Sequence, residues 1–377
     1  MPRLDLTVLA IPGFIGAMGA EYAWQRRHPA APGETRAGDY ELNDTIASLA
    51  MGVGSLIAPF VAKRVLDPLT PGTGRWGKAL LGTALVAGTA TAVGDIVRRH
   101  RAGGLPEAGT LPDPNTNTVN LIPVRSRIDA LSQVTGPAAV AAVGSTALTV
   151  ATTWAAQTSG RRLFGLTRFD RGTGAIATAL AILGWDAIYY WNHRLSHESR
   201  WLWAVHVVHH SSEHYNLSTA LRQPVAEGVT LTVPYGLLAL AGIRPSVIEN
   251  ARALNLIYQF WIHTEAVRSI GWLEKVLNTP SHHRVHHGTN RQYLDRNHGS
   301  ILILWDKIFG TFEPEGERVV YGLTTNIDTF NPARIATHEW RDLARDIAAA
   351  TTWRDRFGFL LRGPGWASER RKQLTTA

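Results

Sequence analysis

Tyr189-Tyr-Trp-Asn-His-Arg-Leu-Ser-His-Glu198, Leu202-Trp-Ala-Val-His-Val-Val-His-His-Ser-Ser-Glu213 and Asn278-Thr-Pro-Ser-His-His-Arg-Val-His-His-Gly288 are the stretches that decide how the chain is read. Of the 15 histidines, His193 and His197 lie in the first, His206, His209 and His210 in the second, and His282, His283, His286 and His287 in the third. His263 stands alone between the second and third. Residues three and four apart share one face of a helix, so each stretch predicts a helix that presents a multidentate imidazole surface. An H-x-x-H-H triplet should arise by accident roughly 0.02 times in a chain of this histidine content. Two occur, so coincidence is a poor account of them.

Ligand type and number narrow the chemistry. The chain has no cysteine, which removes thiolate zinc sites, iron-sulfur clusters and disulfides. Imidazole suits iron, zinc, copper and nickel. A single structural zinc takes four ligands; the larger set predicts two ions sharing it, and oxygen chemistry or hydrolysis as the outcome.

With their flanks, the three stretches resemble the fatty acid hydroxylase/sterol desaturase superfamily, whose signature is H-x3-H, H-x2-H-H and H-x2-H-H. Tyr215-Asn-Leu-Ser-Thr-Ala-Leu-Arg-Gln223, Trp261-Ile-His-Thr-Glu265 and Leu304-Trp-Asp-Lys-Ile-Phe-Gly-Thr-Phe312 bring the likeness closest to its ether-lipid-cleaving branch. The likeness is dense from about residue 185 to 313, with weaker echoes at Tyr40-Glu-Leu-Asn-Asp-Thr-Ile46 and Gly363-Pro-Gly-Trp366. It implies an all-α, multi-pass membrane helical bundle with a cytosol-facing, histidine-rich dimetal module. It also implies a non-haem diiron centre held by His193, His197, His206, His209, His210, His283, His286 and His287, with His263 as the ninth ligand. His282 falls outside the H-x2-H-H core and is expected to support rather than ligate. Where the family usually has Asn-Tyr-Gly this chain has Asn297-His298-Gly299, and His298 is read as an inert substitution rather than an added ligand. The branch implies dioxygen and a lipid as substrates, hydroxylation next to an ether bond, and an external electron donor with tetrahydrobiopterin as reductant. A sterol or fatty-acid hydroxylase or desaturase with the same core stays open, as does a zinc-binding membrane hydrolase or metal transport protein.

Bulk composition does not decide between soluble and membrane classes, because 45% hydrophobic residues and a mean hydropathy of −0.06 are ordinary for a soluble protein. Distribution is more telling. Thr7 to Trp24, Thr45 to Ala62, Ala79 to Gly94, Leu131 to Ala156, Gly172 to Trp185 and Val229 to Ile243 are apolar runs almost free of charge, which predicts four to six membrane segments. The net charge of +8 is dispersed over loops rather than gathered into a nucleic-acid module. Basic residues near helix ends predict the cytoplasmic side.

The expected organisation is N-terminal membrane segments over 1–97, a Gly/Pro/Asn-rich linker over 98–130, the membrane and catalytic portion over 131–313, and a C-terminal cytoplasmic helix and tail over 314–377. One helix is expected from Asn331 to Arg356, and disorder after residue 366. Three carboxylates complete the candidate site. Asp186 precedes His193 by two helical turns, and Glu213 follows His209 by one, so each is placed to accept a proton from a ligand's free ring nitrogen. Glu198 points off the ligand face but matches a glutamate of the family's first motif, which implies a role in shaping the pocket.

Overall fold

The computed structural model describes residues 6–31, 36–102, 122–227 and 233–376. Among the described residues the chain forms helices and a single isolated bridge, Leu277 to Leu302. The first four helices are long: α1 (Leu6–Arg27), α2 (Leu42–Leu66), α3 (Gly77–Ala102) and α4 (Ile122–Gln157). They supply four stretches long and apolar enough to cross a membrane, Leu6–Arg27, Leu42–Leu69, Gly77–His100 and Leu131–Gln157. At about 1.5 Å per residue even the shortest matches a hydrocarbon core of about 30 Å. Phe60, Leu85 and Val86 are 76%, 72% and 72% exposed, an arrangement that suits lipid and not water.

The other two apolar runs become something else. Gly172 to Trp185 is the start of α6 (Ala175–Glu198), whose second half carries Asp186, Asn192, Arg194 and two histidines and is too polar to span. Of Val229 to Ile243, residues 228–232 lie outside the described residues. The remainder forms a four-residue helix, α8 (Leu237–Leu240), and a turn at Gly242 with φ of +84°. The expected linker differs as well: α3 runs on to Ala102 and α4 starts at Ile122, and residues 103–121 lie outside the described residues.

The chain divides into two compact units, Met1–Lys63 with Trp154–Glu339, and Arg64–Thr153 with Trp340–Ala377. In the first unit α6 packs against α7 (Arg200–His210) and α9 (Pro245–Trp261), and α9 also packs against α1. Leu163 of α5 (Gly160–Phe164), Ala181 and Trp185 of α6, and Val247, Ile248 and Ala251 of α9 form one core cluster. Two short helices, α10 (Pro280–His286) and α11 (Leu304–Phe309), close the histidine region, and α12 (Pro332–Ala349) follows.

In the second unit Arg356 is buried and forms an ion pair with Asp95, with Nη2 also donating to the Ala350 carbonyl at 2.7 Å. The single C-terminal helix expected from the sequence is broken at residues 350–352. There Thr352 caps α13 (Trp353–Leu361) by accepting from Asp355 N at 3.1 Å. The tail expected to be disordered is instead helical, α14 (Pro364–Thr376). Arg370 binds the Asp355 carboxylate at 2.7 Å, and Trp366 lies against Gly358 and Phe359.

Candidate metal centre

Four elements deliver the histidines. α6 carries His193 and His197 in its last two turns. Ser199 is extended and ends that helix, and α7 begins at once with His206, His209 and His210 in its second half. His263 follows the end of α9. Thr279 is extended and Pro280 opens α10, a position where a missing N–H costs nothing, so His283, His286 and His287 appear within two turns.

The nine histidines named from the sequence come together, in two groups. His193, His197, His206, His210 and His286 form group one, and His209, His263, His283 and His287 form group two. Within each group the candidate donor atoms lie within 4.8 Å of one another. Each H-x-x-H-H motif is divided between them. His206 and His210, four apart, face group one while His209 faces group two; His283 and His287, four apart, face group two while His286 faces group one. A triplet is therefore two ligand faces rather than the one face expected. Consecutive helical residues are turned by about 100°, so the adjacent pairs 209/210 and 286/287 must diverge.

The donor set fits a cation. His193 Nε2 lies 2.9 Å from His206 Nε2, and His206 Nε2 3.1 Å from His210 Nε2. His263 Nε2 is 3.1 Å from His209 Nε2 and 3.0 Å from His283 Nε2. Imidazoles bound to one ion at about 2.1 Å, spaced between right-angled and tetrahedral, sit about 3.0–3.4 Å apart. Protonation settles the point further. His209 Nδ1 faces the Arg222 carbonyl at 3.3 Å and His263 Nδ1 the Gln259 carbonyl at 2.7 Å. A carbonyl only accepts, so both Nδ1 atoms carry the proton. Burial, reinforced by neighbouring rings, holds His263 well below the usual imidazole range and His209 down to about 3, which favours the neutral form of both rings. Their Nε2 lone pairs then face each other across 3.1 Å with no proton between them. The same burial lowers His193, His206, His210, His283, His286 and His287. His197 Nε2, His286 Nε2 and His287 Nε2 are buried without a hydrogen-bond partner, the state expected of donors reserved for a metal.

Group one is oriented by the loop before α11. His193 Nδ1 donates to the His298 carbonyl at 2.8 Å and His286 Nδ1 to the Arg296 carbonyl at 2.9 Å, while His197 Nδ1 lies 3.4 Å from Asp295 Oδ1. Asp295 and Asn297 hold φ of 57° and 55°, a left-handed conformation that Asn and Asp tolerate best. Two buried carboxylates fix this strained loop. Asp306 accepts from His298 N, Gly299 N and Thr311 Oγ1, each at 2.7 Å. Asp186 accepts from Ile301 N at 2.7 Å, Leu302 N at 3.2 Å and Trp305 Nε1 at 2.8 Å. Gly299 is required there, because a Cβ would fall 2.5 Å from the Leu302 carbonyl oxygen. Burial raises both carboxyls above their usual range, and the N–H donors oppose that shift.

The three predicted carboxylates thus land in different places. Asp186 supports the loop whose carbonyls orient the histidines, and the direct bond to His193 expected from helical phase is taken by the His298 carbonyl. Glu198 is bound by Arg194 at 2.8 Å on an exposed face. Glu213 is exposed and lines a polar cavity of about 300 Å³ with Asp44, His214, Arg222 and Phe330. His282 is buried outside both groups, its ring against Phe312. His298 is also outside both groups, buried, with neither ring nitrogen hydrogen-bonded and Nδ1 3.8 Å from Asp306. Sequence reasoning passed over Asp306, Asp295 and Arg222. Asp306 and Arg222 both sit in stretches that carried the family likeness, which marks them without showing what they hold.

Residues 178–311 match the fatty acid hydroxylase family model. Over 186 residues the chain is 52% identical to the alkylglycerol monooxygenase of Homo sapiens, covering 49% of this chain and 42% of that protein. It is 50% identical over 187 residues to the Danio rerio protein of the same name, and 46% identical over 187 residues to that of Xenopus tropicalis. In each case the match spans 42% of the curated relative's length, well under two thirds. No solved structure matches the chain.

Proposed function

We propose that this chain, which carries a fatty acid hydroxylase domain over residues 178–311, is a membrane-bound non-haem diiron monooxygenase acting on a lipid C–H bond. The facing lone pairs of His209 and His263 carry the metal part of this reading. The substrate part comes from the similarity to alkylglycerol monooxygenases. The reaction is hydroxylation of the carbon next to the ether oxygen of an alkylglycerol-type lipid. The resulting hemiacetal collapses to a fatty aldehyde and a free glycerol hydroxyl, and the second oxygen atom leaves as water, using two electrons and two protons.

His193, His197, His206, His210 and His286 would hold one iron, and His209, His263, His283 and His287 the other. When bound, the pair would supply dioxygen activation and hydrogen abstraction. The chain's own contribution is orientation and tautomer. The carbonyls of Arg222, Gln259, Arg296 and His298 each fix a ring proton on Nδ1, which leaves Nε2 free to bind. Burial keeps the rings neutral, so no proton has to leave before a metal enters. On this reading the electrons come from an external donor, for which the family likeness favours tetrahydrobiopterin. Arg26 and Arg27 close α1 at the end that carries Glu21, which favours a cytoplasm-facing site.

The test is metal analysis of purified protein together with turnover of an alkylglycerol under ¹⁸O₂, the aldehyde being trapped by reduction. Two irons per chain and label in the trapped alcohol are the expected result. Label in a sterol or acyl chain would reassign the substrate, and zinc without oxygen uptake would refute the oxygenase reading.

A further inference from the structure

Two carboxylates on α1 and α2, both outside residues 178–311, reach the supports of group two, and the proposed reaction uses neither. The first is Asp44, 2% exposed, which binds Arg222 Nη2 at 2.5 Å and accepts from Ser212 Oγ at 2.7 Å. Arg222 is itself buried, and its Nε and Nη1 donate at 3.1 Å to Ser48 of α2 and to Ser211. The carbonyl that orients His209 belongs to this same residue. The backbone of α2 comes in close at this point, because a Cβ on Gly52 would lie 2.7 Å from the Leu221 carbonyl oxygen.

The second is Glu21 of α1. It accepts from Tyr40 OH at 2.6 Å, from Leu217 N at 2.9 Å and from the hydroxyl of Thr264, the residue after His263. Phe14, two turns earlier on the same face of α1, stacks on Phe260 at 4.2 Å, so polar and apolar contacts bring α1 to the same corner. The supports of group one have a different source. Asp186, Asp306, Asp295 and the carbonyls of Arg296 and His298 all lie between residues 178 and 311.

We propose that Asp44 and Glu21 are positioning residues that complete the second metal site: α1 and α2 hold His209 and His263 in place, while group one is built within the domain itself. The inference rests on the reading of the nine histidines as two metal sites. It explains why Tyr40 to Ile46 and Tyr215 to Gln223 resemble the family although neither stretch carries a ligand.

The experiment is anaerobic titration of the full chain with Co²⁺, following visible absorption and the metal retained after desalting. Wild type should bind two ions. Asp44→Asn and Glu21→Gln should keep one ion at wild-type affinity and weaken the other by at least about 10-fold, the usual cost of removing a ligand's outer support. Adding His283→Ala, which by itself removes one ion from wild type, should take no further ion from Asp44→Asn. If Asp44→Asn fails to fold, Thr264→Val and Ser48→Ala make the same test with gentler changes and should each weaken one ion only. Two ions at wild-type affinity in the folded variants would overturn the proposal, and so would parallel loss of both. Fewer than two ions in wild type would refute the two-site reading itself.

Discussion

Group one and group two are built from the same ring, yet they are held differently. Group one has five imidazoles, and its orienting atoms come from one strained loop, residues 295–298, fixed by Asp186 and Asp306. Group two has four, and its orienting carbonyls belong to Arg222, which α2 grips, and to Gln259, one turn before the Thr264 corner that α1 grips. The difference teaches that ligand count and ligand support are separate problems. Helices space the imidazoles, but except for His263, which uses the Gln259 carbonyl one turn back in α9, the orienting carbonyls come from outside the ligand's own helix.

The strongest way to break the comparison is to remove a ligand ring from one group alone. His209→Ala should lose the group-two ion and all measurable turnover, a larger fall than the about 100-fold typical of an outer partner. Iron content and aldehyde formation check it, and full activity would refute the ligand assignment. Next in size, Asp306→Asn should weaken the group-one ion by about 10–100-fold and leave the other near wild type, because the groups that lose their carboxylate acceptor, His298 N, Gly299 N and Thr311 Oγ1, all lie on the group-one side. Equal weakening of both ions would erase the distinction.

Acidification of the metal-free protein is a smaller and graded effect. The His209 and His263 rings are depressed below the unfolded value of about 6.5, so below that pH the unfolded chain binds more protons than the folded one. Stability is therefore fully present above about pH 6.5 and is lost as the pH falls toward the folded values. Thermal melts of the apo protein between pH 8 and 4 should follow that course. The smallest effect belongs to Glu198→Gln. An exposed i,i+4 pair with Arg194 contributes about 0.3–0.5 kcal/mol, so turnover and melting should stay within about 2-fold and about 2 °C of wild type.

How far the sequence could be read follows from these contacts. Helical spacing marked the three histidine clusters as ligand faces, the family likeness added His263, and charge-free apolar runs marked four of the long helices, because clusters and runs are local features of the chain. The division of the triplets was within reach of the same arithmetic: the 100° step between neighbours separates His209 from His210 and His286 from His287. The supports were not within reach. His193 is oriented by the carbonyl of His298, which is 105 residues away, and Arg222 meets Asp44 across 178 residues. A backbone carbonyl leaves no mark on residue type, and a long-range ion pair has no periodicity. The tail beyond residue 366 shows the same limit, since its polar composition suggests disorder and long-range pairs such as Arg370–Asp355 and Arg371–Asp346 reveal why it is helical.

The crossed wiring of α7 and α10 has an electronic consequence. Each helix contributes histidines to both groups, so on the diiron reading any change in its position would be felt by both ions. Moving either helix would then shift the two reduction potentials together. Asymmetry between the ions would be adjusted instead at the separate supports: Asp186 and Asp306 for one group, Asp44 and Glu21 for the other.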